Sequence, residues 1–246
     1  MAEAVSAGGL PALRERLHAL ADPGHVKVLQ GYFKTGAGQY GEGDRFLGLR
    51  VPVLRKLARE FRGLPVSDAL ELLRSSWHEE RLLALLLLVD AFSRGDAATR
   101  EEIYRAYLAN TRFINNWDLV DSSAPQIVGA FLGPDRIAPL LELARSESLW
   151  ERRIAILATQ HFIRQGVFEP TLRIAGMLLH DREDLIHKAV GWMLREVGQR
   201  DRAAEEEFLH AHCRTMPRTM LRYAIERFPE PLRRAYLSGE AAAAHA

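Results

Sequence analysis

Apolar residues recur along this chain at three- and four-residue spacing and nowhere alternate with period two over the length of a strand, which predicts an all-α protein. The clearest stripe is Val120, Ala124, Ile127, Val128 and Phe131, at i, i+4, i+7, i+8 and i+11. It predicts a helix over 117–131, capped by Asn115 or Asn116. The same reading places helices at 10–20, 24–34, 52–62, 66–75, 78–93, 97–109, 135–145, 149–165, 168–179, 184–198, 202–214 and 217–227. Asp22-Pro23, Leu64-Pro65, Gly133-Pro134, Glu169-Pro170 and Met216-Pro217 punctuate them, because proline lacks an amide donor and fits only a helix's first turn.

Short helices so punctuated read as hairpins. From about residue 50 they recur every 35 to 45 residues, with a long helix (78–93, 149–165, 184–198) in each unit. That period predicts a HEAT-like α-solenoid whose stacked hairpins leave a concave, basic groove suited to a long partner. The chain is expected to be one domain, with N-terminal helices over about 10–62, repeats over 65–228 and a frayed tail over 229–246. Residues 35–50 carry Gly36, Gly38, Gly41, Gly43 and Gly48 but no Lys-Ser/Thr ending, so they predict a mobile surface loop and not a phosphate-binding P-loop.

Composition narrows the classes. The longest apolar run, Leu82 to Val89, is too short to span a bilayer, and no basic-then-apolar leader opens the sequence. The expectation is a cytoplasmic protein with no membrane association. One cysteine, Cys213, excludes an internal disulfide and a thiolate cage, and no His pair stands at ligand spacing, so neither metal nor cofactor is expected. Cys213 reads as packing, and His161 and His187 as interfacial. The formal charge is only +1 over 246 residues, yet its distribution is uneven. Residues 27–62 hold eight basic side chains (Lys27, Lys34, Arg45, Arg50, Arg55, Lys56, Arg59, Arg62) against Glu42, Asp44 and Glu60, a net of +5. Later, Arg152 and Arg153 follow Trp150, and Lys188 and Arg195 flank Trp192. Basic groups beside aromatics suit a phosphate backbone, and they equally suit solvated faces paired with Glu and Asp.

One short stretch concentrates candidate chemistry. In Asn115-Asn116-Trp117-Asp118-Leu119-Val120-Asp121, Trp117 and Asp121 fall on the margin of the apolar stripe, which would half shelter the carboxylate from water. The residues alone leave two readings open: a core tryptophan with an Arg-paired aspartate, or a site.

Three segments are specific: Trp117-Asp118-Leu119-Val120-Asp121, Trp150-Glu151-Arg152-Arg153-Ile154-Ala155-Ile156-Leu157, and Lys188-Ala189-Val190-Gly191-Trp192-Met193-Leu194-Arg195-Glu196. With Gly48-Leu49-Arg50-Val51-Pro52-Val53-Leu54-Arg55, which looks like a Gly-x-x-x-Pro-x-x-Arg segment, the chain from about Val26 through Phe228 resembles the AlkD family of bacterial DNA alkylation-repair glycosylases. The resemblance implies a HEAT-like solenoid that holds duplex DNA and hydrolyses the N-glycosidic bond of N3- or N7-alkylated purines, without cofactor or metal. It implies Asp121 as the catalytic carboxylate, Trp117 and Trp192 as sugar-contacting aromatics and Arg153 as the active-site arginine. It also implies that the lesion is contacted from outside, without extruding the base. Lys34, Arg50, Arg55, Arg152, Lys188 and Arg195 are the expected DNA contacts, and a monomer is expected. The loop Gly36 to Asp44 is longer and richer in glycine than the family pattern. Two other classes fit the residues: a non-catalytic binder of damaged or branched DNA, and a protein-interaction scaffold anchored by Trp117, Trp150 and Trp192.

Overall fold

The computed structural model describes residues 8–240. Among them there is no strand, only an isolated bridge between Arg45 and Trp77, so the all-α expectation holds. The chain forms two compact units, the first ending at Ile127 and the second beginning at Val128.

In the first unit, α1 (Gly9–His18), α2 (Pro23–Tyr32), α3 (Val51–Glu60), α4 (Val66–Leu73), α5 (His78–Arg94), α6 (Ala97–Ala109) and α7 (Trp117–Asp121) follow in order. The longest, α5, is the unit's spine, and α3, α4, α6 and α7 all pack against it. Its Leu82, Leu83, Leu85, Leu87, Leu88 and Phe92 are buried, which removes apolar area from water on several sides at once. Its first turn is unusual, because His78, Glu79, Glu80 and Arg81 are buried as well. Buried charge is tolerated only when it is paired. Here Glu80 takes His18 at 2.7 Å and Arg14 at 3.5 Å, and the other three build the site described below.

The expected helix over 117–131 is interrupted: α7 ends at Asp121, a π-helical turn spans Pro125–Gly129, and α8 (Ala130–Leu132) is a single turn. Pro125 has no N–H to give to the carbonyl of Asp121, so the α-helical ladder cannot run through this point. Val120, Ala124, Ile127 and Val128 of the expected stripe are nevertheless fully buried, and Phe131 is half-buried.

In the second unit α9 (Ala138–Ala144), α10 (Leu149–Ala158), α11 (Gln160–Arg164), α12 (Glu169–Met177), α13 (Asp184–Gly198), α14 (Arg202–His212) and α15 (Arg218–Ala224) stack as hairpins, with α13 central. Gly191 lets α13 lie against α15: a Cβ there would stand 2.4 Å from the carbonyl oxygen of Met220. The expected helix over 149–165 is divided at Thr159, whose hydroxyl donates back to the carbonyl of Ile156. The expected fraying from residue 229 is not found over α16 (Glu230–Ser238), whose Tyr236 is buried against Phe228 and His210; residues 241–246 lie outside the described residues. Cys213 is buried, and burial pushes its thiol pKa up, as suits a packing residue. No described helix is long and apolar enough to cross a membrane.

Candidate active site

Asn116 caps α7 from an extended backbone conformation, its side-chain oxygen accepting the amide of Trp117 at 2.9 Å. That cap starts the helix at Trp117 and so fixes where Trp117 and Asp121 point. Both are half-buried and line a cavity of about 440 Å³ in the first unit. Its apolar wall is formed by Leu29, Phe46, Leu49 and Leu82 and by an aromatic cluster. In that cluster Phe33 stacks on Trp117 (centroids 5.4 Å apart) and on Phe46 (5.2 Å), and Tyr32 meets Trp117 edge-on at 5.7 Å. Rings packed this way hold one another's orientation as well as excluding water. Arg50 and Arg55 stand on the same wall, exposed; with Lys34 they form no ion pair with other described residues.

A buried polar chain runs inward from the cavity wall, which includes His78 and Asp118. His78 Nδ1 is 3.0 Å from Asp44 Oδ2, and its Nε2 is 2.8 Å from Asp118 Oδ2. Arg81 donates to Asp44 Oδ1 at 2.5 Å and to the Ser75 carbonyl at 3.2 Å, and Asn116 Nδ2 donates to Asp44 at 3.2 Å. Burial alone would lower the imidazole pKa, but the charge and hydrogen bond of Asp118, followed by those of Asp44, overcome it and push His78 up to about 9. Burial likewise works against ionising Asp44, yet the hydrogen bond from His78 and the charge of Arg81 hold its carboxyl below the ordinary value. Both carboxylates are therefore tied to one imidazolium.

The Gly-rich segment supplies Asp44, and it is not a surface loop along its whole length. Residues Phe46 to Leu49 are buried, with the amides of Leu47, Gly48 and Leu49 all donating to the Glu79 carboxylate at 2.9 to 3.1 Å. Gly48 has φ +89°, and a Cβ there would stand 2.0 Å from the carbonyl oxygen of Asp22, so this position requires glycine. Sequence reasoning missed His78 and Glu79 because the charged quartet His78-Glu79-Glu80-Arg81 at a helix start reads as a solvated first turn, and Asp44 and Asp118 because their partner lies far along the chain. The one available signal was the quartet's position directly before an eight-residue apolar run, which demands burial of the whole helix.

The remaining expected residues belong to the second unit. Arg153 is 5% exposed and donates to the carbonyl of Leu185 at 2.6 Å, joining α10 to the start of α13. Trp192 is half-buried, and its indole N–H donates to Glu196 at 3.2 Å. Lys188 pairs with Asp184 at 2.7 Å, and Arg195 pairs with Glu226. Arg152 is held by Asp181 at 2.6 Å and by the carbonyls of Ser146 and Glu147. Among the described residues no group of three His, Cys, Asp or Glu is placed to hold a metal ion.

Comparison with known proteins bears on what this arrangement serves. No curated protein matches. Among solved structures, a predicted DNA alkylation repair enzyme from Enterococcus faecalis aligns with a TM-score of 0.66 at 15% identity, over 85% of this chain and 97% of its own. A likeness at that identity speaks to the fold. The model of the DNA alkylation repair enzyme family matches residues 13–228, which include every residue named for the site, and the chain belongs to that family.

Proposed function

We propose that the protein is a monofunctional DNA glycosylase that hydrolyses the N-glycosidic bond of positively charged N3- or N7-alkylated purines in duplex DNA. The observation that carries the reading is the pairing of Trp117 and Asp121 on one face of α7, both lining an aromatic cavity whose wall also holds Arg50 and Arg55. An alkylated purine is already cationic and leaves without a general acid, so the paired carboxylates of ordinary glycoside hydrolysis are unnecessary. As the bond breaks, positive charge moves to the sugar. An ionised Asp121 at about 4 Å contributes about 4 kcal/mol at an effective dielectric near 20, and it orients the attacking water. The Trp117 ring offers its π face to the same cation, for roughly 0.5–2 kcal/mol. Arg50, Arg55 and Lys34 are assigned to phosphates.

From the second unit, Trp192 is assigned to the sugar and Arg153 to the backbone at the lesion. Lys188 and Arg195 reach phosphate by exchanging it for the carboxylates of Asp184 and Glu226. Arg152, committed to Asp181 and two carbonyls, is assigned to the fold.

Recognition rests on charge and lability, with the base left in the stack. In support, three polar groups of the cavity wall are already committed: both ring nitrogens of His78 to carboxylates, Glu79 to three amides, and the Ser122 hydroxyl to the carbonyl of Asp118. None of the three is free to read a base edge. The test is excision from duplexes carrying single defined lesions. Release of 7-methylguanine and 3-methyladenine with no release of uracil or hypoxanthine is expected; release of the neutral bases would overturn recognition by charge.

A further inference from the structure

The members of the buried Asp44–His78–Asp118 chain come from three separate elements. Asp44 lies on the Gly-rich segment, His78 begins α5, and Asp118 lies in the first turn of α7, next to Trp117. An ionised carboxylate only accepts hydrogen bonds. With a carboxylate oxygen on each ring nitrogen, at 3.0 and 2.8 Å, both nitrogens must carry protons. The ring faces add to the hold, since Phe46 stacks on His78 with centroids 4.7 Å apart and Phe33, itself stacked on Trp117, lies at 4.7 Å.

We propose that His78 is a positioning residue of the glycosylase: as a buried imidazolium it clamps the start of α7 to the Gly-rich segment, and through Asp118 and Asn116 it sets the orientation of Trp117 and Asp121. The inference rests on the glycosylase reading for what those two side chains do, though not for the geometry that holds them. Asn116 shares the clamp, because its oxygen caps Trp117 while its amide grips Asp44. The consequence is a pH dependence unrelated to the catalytic carboxylate. Deprotonating His78 removes one of the two hydrogen bonds and leaves two buried carboxylates facing a neutral ring. Its charged neighbours are Asp44 from the Gly-rich segment, Asp118 from α7, and Glu79 and Arg81 from α5, and it shares the cavity wall with Asp121 from α7, Arg50 at the start of α3 and Arg55 within α3. Of these, Arg81 is bound to Asp44 and Glu79 to backbone amides, so neither replaces the lost proton.

The experiment is a pH series from 7 to 10.5 on the full chain, reading the His78 ring and the Trp117 indole N–H by NMR and single-turnover release of 7-methylguanine on the same preparation. Incubations are kept shorter than alkaline ring opening of the lesion. The Trp117 resonance and the rate are expected to change together, with the midpoint of the His78 ring, and the rate to fall at least tenfold. In Asp118→Asn, which keeps the shape and removes one charge, both midpoints should move down by a pH unit or more. His78→Gln should lose the Trp117 transition, and its rate at pH 7.5 should fall at least tenfold with less than a threefold change in DNA affinity. A rate and a Trp117 resonance that stay level while the ring titrates would overturn the proposal. So would an Asp118→Asn profile with the wild-type midpoint. If wild type releases no base at any pH while Trp117 still follows His78, the glycosylase reading fails and the clamp stands.

Discussion

His78 Nε2 lies 2.8 Å from Asp118 Oδ2, and this contact joins the first turn of the unit's longest helix to the first turn of the helix that carries Trp117 and Asp121. It makes the candidate site part of the fold's electrostatics and not an attachment to its surface. The same contact ties stability to pH. A histidine whose folded pKa is raised stabilises fully below its ordinary value near 6.5, and that stabilisation is lost as pH rises through the folded value near 9. The lift corresponds to about 3 kcal/mol. The melting temperature of wild type relative to His78→Gln is therefore expected to fall between pH 6.5 and 9, by about 2–4 °C for each kcal/mol lost. A constant difference across that range, measured by thermal unfolding, would show that His78 does not carry the charge assigned to it.

Glu205 gives a second dependence of the same sign for the opposite reason. Burial pushes its carboxyl up to about 8, with the Arg202 charge opposing and Glu206 adding to the rise, and its Oε1 has no hydrogen-bond partner. The unfolded chain releases this proton near the ordinary 4.5 and the folded chain only near 8, so ionisation costs stability progressively between the two. Glu205→Gln should match wild type below pH 4.5 and melt several degrees higher above pH 8. An equal melting temperature at pH 8.5 would contradict the burial cost.

Arg50 and Arg55 separate DNA binding from folding. Exposed and in no described ion pair, they should each contribute about 0.9 to the slope of log affinity against log salt if they neutralise phosphates. The double substitution to alanine is expected to lower that slope by nearly two and leave the melting temperature within about 1 °C. Arg152→Ala should behave in the reverse way, destabilising the second unit through the loss of Asp181 and leaving the salt slope unchanged. Fluorescence anisotropy at four salt concentrations distinguishes them.

Gly48→Ala tests the buried arm of the Gly-rich segment. Its positive φ and the 2.0 Å approach of Asp22 predict a loss of more than about 2 kcal/mol in denaturant unfolding, whereas Gly38→Ala, with positive φ but open space around it, should cost about 1 kcal/mol. Equal effects would mean that the Asp22 contact relaxes freely.

The helices were legible because their apolar stripes and prolines are local signals: α5, α6 and α13 lie within a residue or two of their expected bounds. Trp117 and Asp121 were legible as a pair, since four-residue spacing places them on one helix face whatever the surroundings. The break after Asp121 was masked by the stripe, which continues through the Pro125 π-helical turn because Ala124, Ile127 and Val128 stay buried either way. The pairing of Asp44, His78 and Asp118 was not legible, although the apolar run after Arg81 pointed to a buried helix start. Its members are separated by 34 and 40 residues, and nothing in one sequence distinguishes a charged residue paired across that distance from one facing water. The same blindness put Arg152 among the expected DNA contacts, although Asp181 holds it 29 positions away.

The central claim is that Asp121 stabilises the charge that develops on the sugar. Single-turnover release of 7-methylguanine from a duplex oligonucleotide, wild type beside Asp121→Asn with a binding titration on the same DNA, tests it most directly. Loss of about 4 kcal/mol of transition-state stabilisation predicts a rate roughly a thousandfold lower in Asp121→Asn, with DNA affinity unchanged or slightly tighter. Equal rates in the two proteins would contradict the assignment.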